Sequence, residues 1–413
     1  MTRTSDGNPT TAPAYYPESE NRLGRNVAVL TATQSLGAAS PPIIISLGGL
    51  VGQMLSSNPA LATLPVSLFN LGLALSTIPA GLLIRRLGHR YAYLLGALMG
   101  CLAGLVAAWG IYQGSFLTFC VGTSVAGFYA ACVQSYRFAA ADAAPPALRS
   151  KAISRIMLGG LVAAIIGPQI VIWTRDTFVT APFAGSFLGQ AALAVLVMPL
   201  ILLLKIPAVS HHQNTATGRP LAQIARSPAF IVTASAAVVS YGLMAFIMTA
   251  APMAMVSCGF TPGQAALGIQ WHILAMFGPS FITGHLIARF GKIAITALGL
   301  VLTGLSGLIA LQGLELSHFW GSLILLGIGW NFGFIGATAM LTDCYEPAER
   351  AKVQSLNDFL VFGTVAIASF SSGSLLTSSG WDRINTLMLP LVTVVLLMLG
   401  WLAWQKRRQP RHA

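Results

Sequence analysis

Residues Asp142–Ser154 read DAAPPALRSKAIS, and residues Asp343–Ser355 read DCYEPAERAKVQS. The two stretches lie 201 residues apart and carry Asp, Pro, Ala, Arg, Lys and Ser at the same six positions. A copy at a fixed spacing is the mark of a duplicated structural unit. The spacing is close to half of the 413 residues, so the chain is predicted to consist of two similar halves.

The composition around this repeat is that of a membrane protein. Hydrophobic residues make up 55% of the chain and charged residues 8%, against about 25% charged residues in soluble domains. Helices of about twenty apolar residues cross the hydrocarbon layer of a bilayer. Twelve such segments are predicted, which makes an all-α polytopic membrane protein with both termini on one side: about 26–53, 60–84, 91–112, 115–137, 152–173, 183–204, 228–256, 263–287, 293–311, 317–341, 353–376 and 384–404.

The net charge of +12 is concentrated on one side of these segments. Of the 23 Lys and Arg residues, all but Arg175 and Arg383 fall in the termini or in loops on the side of the termini. Cytoplasmic loops carry the excess of Lys and Arg in membrane proteins. Both termini are therefore predicted to be cytoplasmic, and the expected partner of the positive charge is the lipid bilayer rather than a nucleic acid.

The segments divide the chain into five parts. A disordered cytoplasmic tail is expected at 1–25, a six-helix bundle at 26–204, a cytoplasmic linker at 205–227, a second six-helix bundle at 228–404 and a basic tail at 405–413. The first tail lacks the apolar centre of a signal peptide, so the first segment is expected to be retained.

Metal, cofactor and enzyme chemistry are not expected from the sequence. The five cysteines are scattered, and His211–His212 stand in a polar linker without further ligands. The chain has no G-x-x-x-x-G-K-[ST] loop for a nucleotide, and no nucleophile, base and orienting group converge by spacing. We expect a monomer without a cofactor, and not an enzyme.

A second repeated stretch indicates the family. Residues 81–90 read GLLIRRLGHR, and residues 284–292, 203 positions later, read GHLIARFGK. Both resemble the G-x-x-x-D-R-x-G-x-R/K signature of the major facilitator superfamily of secondary transporters, and the resemblance in topology covers all twelve segments. It implies two pseudo-symmetric six-helix bundles around a central cavity, alternating access and, by default, a coupling proton, with uniport as the open alternative. The signature acid is replaced by Arg85 and by Ala288.

The two repeats together predict a cytoplasmic gate. Arg86 and Arg289 lie at a membrane edge where a bidentate pair with a carboxylate is favourable, and Asp142 and Asp343 are the candidate partners. The alternative is that these charges only follow the positive-inside rule. The full gate set is Arg85, Arg86, Gly88, Arg90, Arg137, Asp142, Arg289, Gly291, Asp343 and Asp358.

Three ionisable residues within the segments have more than one interpretation. Asp358 is either a proton-coupling carboxylate or the partner of Arg85, since unpaired charges are costly in hydrocarbon. His272 is either a second proton-coupling group or a hydrogen-bonded packing residue. Arg137 could neutralise an anionic substrate, pair with Asp142 or extend to the headgroups.

The other polar residues within the segments are neutral or aromatic, and such groups are expected to face a cavity. Pro41–Pro42 and Pro252 predict helix breaks at corresponding depths of the two halves. A cavity of this chemistry suits a planar, largely uncharged organic solute. The predicted substrate-binding residues are Gln34, Asn70, Tyr129, Gln134, Tyr241, Gln270, Trp271, His272, Trp330 and Asn331.

The predicted function is secondary transport of a small organic solute across the inner membrane of a bacterium. Residues 270–279, QWHILAMFGP, resemble bacterial uptake transporters for vitamins such as riboflavin. Gly167–Pro168 resembles part of an antiporter motif, which keeps multidrug or metabolite efflux as an alternative. A membrane sensor or assembly factor on the same scaffold is the alternative from another class.

Overall fold

The computed structural model describes residues 17–144, 149–205 and 218–408. These residues form fourteen α-helices and two short 3₁₀ helices, with no strand among them. The helices are α1 (Pro17–Gly37), α2 (Ser40–Leu55), α3 (Leu64–Tyr112), α4 (Phe116–Gln134), α5 (Tyr136–Ala143), α6 (Arg149–Thr174), α7 (Ala184–Leu202), α8 (Leu221–Ala225), α9 (Pro228–Ser257), α10 (Pro262–Phe277), α11 (Ser280–Phe290), α12 (Lys292–Ala310), α13 (Leu316–Leu341) and α14 (Arg350–Arg408), and the 3₁₀ helices are Pro59–Leu61 and Pro347–Glu349.

Two of these helices are too long to be single membrane spans. At about 1.5 Å per residue, the 49 residues of α3 and the 59 residues of α14 exceed twice the roughly 30 Å of hydrocarbon. Each contains one glycine with a positive φ, Gly88 (φ 78°) in α3 and Gly380 (φ 78°) in α14. Each glycine is therefore the turn between two spans.

Within the described ranges, nine helical stretches are long and apolar enough to cross a membrane, and the bent pair α10–α11 makes a tenth. Counting α3 and α14 as two spans each gives twelve. The pair α10–α11 bends by 42° where Gly278 and Pro279 separate the helices. Pro41 and Pro42 open α2 after a similar break.

The break predicted at Pro252 is wrong, because Pro252 lies inside the continuous α9. A proline removes one backbone donor, and a packed helix accommodates that loss without separating into two. The break in the second half lies instead at Pro279, in the next span.

Buried apolar residues form two main clusters that follow the two halves of the chain. One cluster is built almost entirely from residues before Lys205, and Met253 and Ala266 join it from the second half. The other is built from residues after Pro228, and Ile45, Val66 and Ala164 join it from the first half. The two halves are in contact at these five residues, each of which packs into the cluster of the other half.

The molecule has two distinct ends. We call "basic end" the one that carries the exposed Arg85, Arg86 and Arg289 together with Lys292 and the last turn of α14. We call "opposite end" the one that carries the turns at 56–63, 175–183, 258–261, 311–315 and 380. Chain direction alternates between these ends from span to span.

The first end of the linker is held by α1. The Asn26 Nδ2 donates a hydrogen bond to the Lys205 carbonyl at 2.9 Å, and the Lys205 N–H donates to Asn26 Oδ1 at 3.2 Å. Asn26 is buried. The linker therefore leaves the first half from a fixed position.

The other end of the linker is held by a buried carboxylate of the second half. Arg219 donates from Nε to Glu349 Oε1 (2.9 Å), from Nη2 to Oε2 (2.7 Å) and from its backbone N–H to Oε1 (2.6 Å). The side chain of Glu349 is 0% exposed, and Lys352 donates to the Arg219 carbonyl. The hydrogen bond from the Arg219 guanidinium and that from the Glu346 backbone lower the pKa of the Glu349 carboxyl to about 2.

The predicted tails and linker lie partly beyond the described chain. Residues 1–16, 206–217 and 409–413 are outside the described ranges, as is the side chain of Asp142. The boundaries predicted for the two bundles and the linker stay predictions.

Candidate functional site

A cavity of about 190 Å³ lies between the two halves. The first half contributes residues from α1, α2, α3, α4 and α6, and the second half contributes residues from α9, α10 and α14. The cavity lies where residues of one half pack into the apolar cluster of the other half. The cavity is thus positioned by both halves and changes shape if they move relative to each other.

The described side chains that line this cavity are all uncharged. Polar groups come from Gln34, Asn70 and Gln134 of the first half and from Tyr241 and Thr249 of the second. Amide, phenol and hydroxyl groups can donate and accept hydrogen bonds without a counter-ion. The remaining walls are apolar and include three methionines, Met244, Met248 and Met276, whose unbranched side chains adapt to the shape of a ligand.

Tyr241 is the centre of an aromatic cluster behind the cavity wall. Its ring meets Trp330 edge-on at 5.3 Å between centroids, Phe334 at 5.0 Å and Phe362 at 5.8 Å. Trp330 stacks on Phe334 at 5.3 Å with 18° between the planes. Contacts of this kind hold the Tyr241 ring in one orientation at the cavity wall.

The halves are hydrogen-bonded between the cavity and the opposite end. Asn70 Nδ2 donates to Ser369 Oγ at 2.8 Å, and Ser369 Oγ lies 3.1 Å from Thr249 Oγ1. Thr63 donates to the Phe370 carbonyl at 3.3 Å, nearer the opposite end. The Asn70 and Thr63 bonds join the two halves, whereas the contact between Ser369 and Thr249 lies within the second half.

A further hydrogen bond joins the halves beside the cavity. Gln169 Nε2 of α6 donates to Gln270 Oε1 of α10 at 3.1 Å. Gln270, a predicted substrate-binding residue, is buried and lies in this contact rather than in the cavity wall. An amide–amide bond carries no charge, so it can break and re-form at modest cost.

Four of the ten predicted substrate-binding residues line the cavity: Gln34, Asn70, Gln134 and Tyr241. Trp330 supports Tyr241 from behind. Trp271 is not among the residues that line the cavity, and it is 43% exposed. Tyr129 is buried within the first half, where its ring packs beside Gly100. The assignment of these residues to substrate stays a prediction.

Asn331 fills the break between α10 and α11. Its Nδ2 donates to the Met276 carbonyl at 2.6 Å and to Ser280 Oγ at 2.7 Å, and its Oδ1 accepts from Thr283 Oγ1 at 2.5 Å. Its side chain is fully buried. Asn331 therefore satisfies groups that the Pro279 break leaves without helical partners, and it does not reach the cavity.

His272 is enclosed within the second half. Its side chain is 0% exposed, and Nδ1 lies 2.7 Å from the Leu323 carbonyl. Because a carbonyl accepts, Nδ1 carries the hydrogen. This geometry is that of a packing residue which links α10 to α13.

Arg137 and Asp358 lie between the cavity and the basic end, one on each half. Both side chains are exposed, and they are close enough for their charges to attract each other, while Arg137 also acts on Tyr241. Asn357 Nδ2 lies 3.5 Å from Asp358 Oδ1. The sequence suggested Arg85 as the partner of Asp358, and the cation that acts on Asp358 in the structure is Arg137.

The carboxylate of Asp343 has a different cationic partner from the predicted Arg289. Lys292 Nζ donates to Asp343 Oδ1 at 2.5 Å and to Thr342 Oγ1 at 3.2 Å. Arg289 instead lies over the Phe290 ring, 5.3 Å from its centroid. The reason is the turn at Gly291 (φ 87°), which directs Arg289 outward and places Lys292 at the start of α12.

The remaining gate residues are placed as follows. Gly88 and Gly291 both have positive φ, which only glycine adopts without strain. Arg85, Arg86 and Arg90 are exposed at the basic end. The Arg86–Asp142 pair cannot be compared with the structure, since the Asp142 side chain lies outside the described part. The gate stays a prediction.

Sequence reasoning missed Ser369, Gln169 and the Arg219–Glu349 pair. Ser369 stands in the run SFSSGS, whose hydroxyl groups could have been singled out as a signal. In the first copy of the repeat, the position that corresponds to Glu349 is occupied by Leu148. A charged residue present in only one copy could have indicated a contact specific to the second half. Among the described residues no group of three His, Cys, Asp or Glu side chains converges on a metal site.

Comparison with known proteins gives relatives over nearly the whole chain. The riboflavin transporter RfnT of Brucella anthropi is 63% identical over 377 residues, covering 91% of this chain and 95% of that protein. The uncharacterized MFS-type transporter YdeG of Bacillus subtilis is 30% identical over 93% of this chain and 94% of its own length.

Solved structures share the fold at low identity. A mutant form of the nucleoside transporter NupG superposes with a TM-score of 0.74 at 14% identity, over 91% of this chain and 98% of that one. A POT family peptide transporter superposes with a TM-score of 0.62 at 13% identity, over 94% and 99%. The sequence profile of the Major Facilitator Superfamily matches residues 26–279 and 233–413. This chain therefore belongs to the Major Facilitator Superfamily.

Proposed function

We propose that this protein takes up riboflavin across the cytoplasmic membrane of a bacterium. The observation that carries the proposal is the 63% identity with a riboflavin transporter over 91% of the chain. The chemistry of the cavity supports it, because riboflavin is uncharged at neutral pH, flat over its three fused rings and rich in hydrogen-bonding groups. An uncharged wall with amide and hydroxyl groups and three aromatic residues, Phe69, Tyr241 and Phe277, suits these properties.

The polar groups of the cavity suggest how the solute is held. The ring system would lie against Tyr241, whose orientation is set by Trp330 and Phe334. Gln34 and Gln134 offer amide donors and acceptors for the imide edge of the ring system. Thr249 and Asn70 lie in the same cavity and suit the hydroxyl groups of the ribityl chain.

During transport the protein would alternate between a state closed at the opposite end and a state closed at the basic end. The hydrogen bonds at Ser369 and Thr63 hold the opposite end closed. With the basic end in the cytoplasm, as the positive-inside rule favours, this state is open to the cytoplasm and releases the solute. Loading would require those bonds to break and the basic end to close, with Arg137 and Asp358 drawn together. We take the protein to work as a monomer with both termini in the cytoplasm.

We assign proton coupling to Asp358 rather than to His272. Asp358 is exposed beside the path from the cavity to the basic end, where a proton can reach it. His272 is enclosed and engaged with the Leu323 carbonyl. Uptake without a coupling ion is the simplest competing mechanism.

Uptake by cells that lack riboflavin synthesis tests the proposal. Expression of this chain should restore growth at low micromolar riboflavin and give saturable accumulation of labelled riboflavin. Failure of both, with the protein present in the membrane, would reject riboflavin uptake. Faster loss of preloaded riboflavin from expressing cells would instead indicate export.

A further inference from the structure

A second cavity lies at the basic end of the second half, away from the substrate path. Its volume is about 530 Å³, and it is formed by the start of α12, the end of α13 and the last turns of α14. We call it the α12–α14 groove. It shares no lining residue with the central cavity.

The walls of the α12–α14 groove combine positive charge with apolar surface. Lys292, Lys406 and Arg407 supply the charge, and Ile293, Leu396 and Leu399 supply apolar wall. Asp343 also lines the groove, but it is bonded to Lys292 at 2.5 Å. Three cations against one carboxylate leave the groove with an excess of positive charge.

The groove opens at the level of the membrane surface. Trp401 and Trp404 are 46% and 51% exposed on the same last turns of α14. The guanidinium of Arg408 lies 3.8 Å above the Trp404 ring. Exposed tryptophans are concentrated at the boundary between hydrocarbon and headgroups, so the cations of the groove lie in the headgroup layer and its apolar wall reaches into the hydrocarbon.

The groove is a property of the second half and not a consequence of the duplication. Lys292 belongs to the repeated stretch 284–292, and the corresponding residue in the first copy, 81–90, is His89. His89 is buried, with 7% of its surface exposed. Lys292 is thus a cation of the second half at a position where the first half carries a buried histidine.

We propose that the α12–α14 groove binds one anionic phospholipid. The phosphate would lie between Lys406 and Arg407, where charge-assisted hydrogen bonds are strong, and an acyl chain would cover Leu396 and Leu399. The apolar wall favours a phospholipid over free phosphate, because only the lipid also buries hydrocarbon. A phosphate that reaches Lys292 competes with Asp343, so the bound lipid loosens the ion pair between α12 and α13.

Native mass spectrometry of the delipidated protein, titrated with phosphatidylglycerol, tests this site. Lys406→Gln with Arg407→Gln should weaken the first bound phosphatidylglycerol at least tenfold. The matched control is Arg25→Gln with Arg226→Gln, which removes the same charge from exposed positions at the same end outside the groove, and its affinity should stay within twofold of the wild type. Each single substitution in the groove should show a partial loss, which keeps the test valid if the double variant folds poorly.

Competition separates a lipid from a free anion. Phosphatidylcholine and millimolar inorganic phosphate should both fail to displace the first phosphatidylglycerol. Displacement by inorganic phosphate would overturn the proposal in favour of a simple anion site. Equal weakening in the groove variant and the control would reduce the effect to surface charge and overturn it as well. These outcomes do not depend on which solute is transported.

Discussion

Asn70 of the first half donates a hydrogen bond to Ser369 of the second half at 2.8 Å, directly beside the central cavity. Ser369 is fully buried and also lies 3.1 Å from Thr249, which lines the cavity. A residue of the cavity wall thus takes part in one of the hydrogen bonds that join the halves. Solute contact with Asn70 or Thr249 would compete with Ser369 for the same groups, so binding and opening would be coupled through one hydroxyl.

Ser369→Ala should favour opening at the opposite end. The change removes the bond to Asn70, which joins the halves and is worth about 1 kcal/mol. Spin labels at the exposed Val179 and Leu314, in a background with the five cysteines replaced, should report a larger fraction of long distances. Ser371→Ala is the control, because Ser371 bonds only to carbonyls of its own helix. An unchanged distance distribution would mean that Ser369 does not hold the closure.

Tyr241→Ala should weaken riboflavin binding at least tenfold, while Tyr241→Phe should cost less than tenfold. The phenylalanine ring keeps the edge contacts with Trp330 and Phe334, and aromatic pairs contribute about 0.5–1.5 kcal/mol each. The KM for uptake measures the effect. Trp173→Ala, at a 72% exposed position outside the cavity, should leave KM unchanged. Similar losses in the alanine and phenylalanine variants would assign the role to the hydroxyl.

Asn331→Leu should lower stability rather than alter substrate selectivity. The change leaves the Met276 carbonyl and the Ser280 hydroxyl without this partner, whereas the Thr283 hydroxyl keeps its bond to the Pro279 carbonyl. An unsatisfied buried polar group costs about 1–3 kcal/mol. Thermal unfolding of the purified protein should show a lower Tm, with the riboflavin KM of the remaining folded protein unchanged. A raised KM at unchanged Tm would return Asn331 to the binding site.

Glu349→Gln should destabilise the linker contact at neutral pH but not in acid. The pKa of Glu349 is lowered from 4.5 to about 2 by the Arg219 hydrogen bonds. A lowered pKa stabilises the folded state above pH 4.5, and this contribution is lost as pH falls from 4.5 to about 2. The difference in Tm between wild type and variant should therefore shrink across that range. A constant difference would show that the charge of Glu349 is not responsible.

Asp358→Asn and His272→Gln should separate the two candidates for proton coupling. Asp358→Asn should abolish the stimulation of uptake by an inward proton gradient while keeping exchange of labelled for unlabelled riboflavin. His272→Gln keeps a donor for the Leu323 carbonyl and should retain the full pH dependence. The reverse result would move the coupling role to His272.

The family and the fold class predicted from the two repeats are confirmed by the superfamily profile and by the relatives. Glycines at 88 and 291 were visible as turns because only glycine accepts positive φ cheaply. Gln34, Asn70 and Gln134 were visible because neutral polar groups in hydrocarbon need a cavity or a partner.

Other features had no sequence signal of comparable strength. Asn331 and His272 are polar residues in apolar helices too, yet they serve partners inside their own half. Helix rotation decides between these cases, and hydrophobic periodicity does not fix it. Arg289 was the predicted partner of Asp343, and Lys292 is the observed one. The difference depends on the direction of the single turn at Gly291.

The two anchors of the linker define a tether. Lys205 is fixed to Asn26 and Arg219 to Glu349, so fourteen peptide steps connect the halves at the basic end. A fully extended chain spans at most about 3.5 Å per residue, or roughly 50 Å in all. No state of the transport cycle can carry these two anchor points further apart while both stay attached. A release of Arg219 from Glu349 would lengthen this tether only as far as α8, which begins at Leu221.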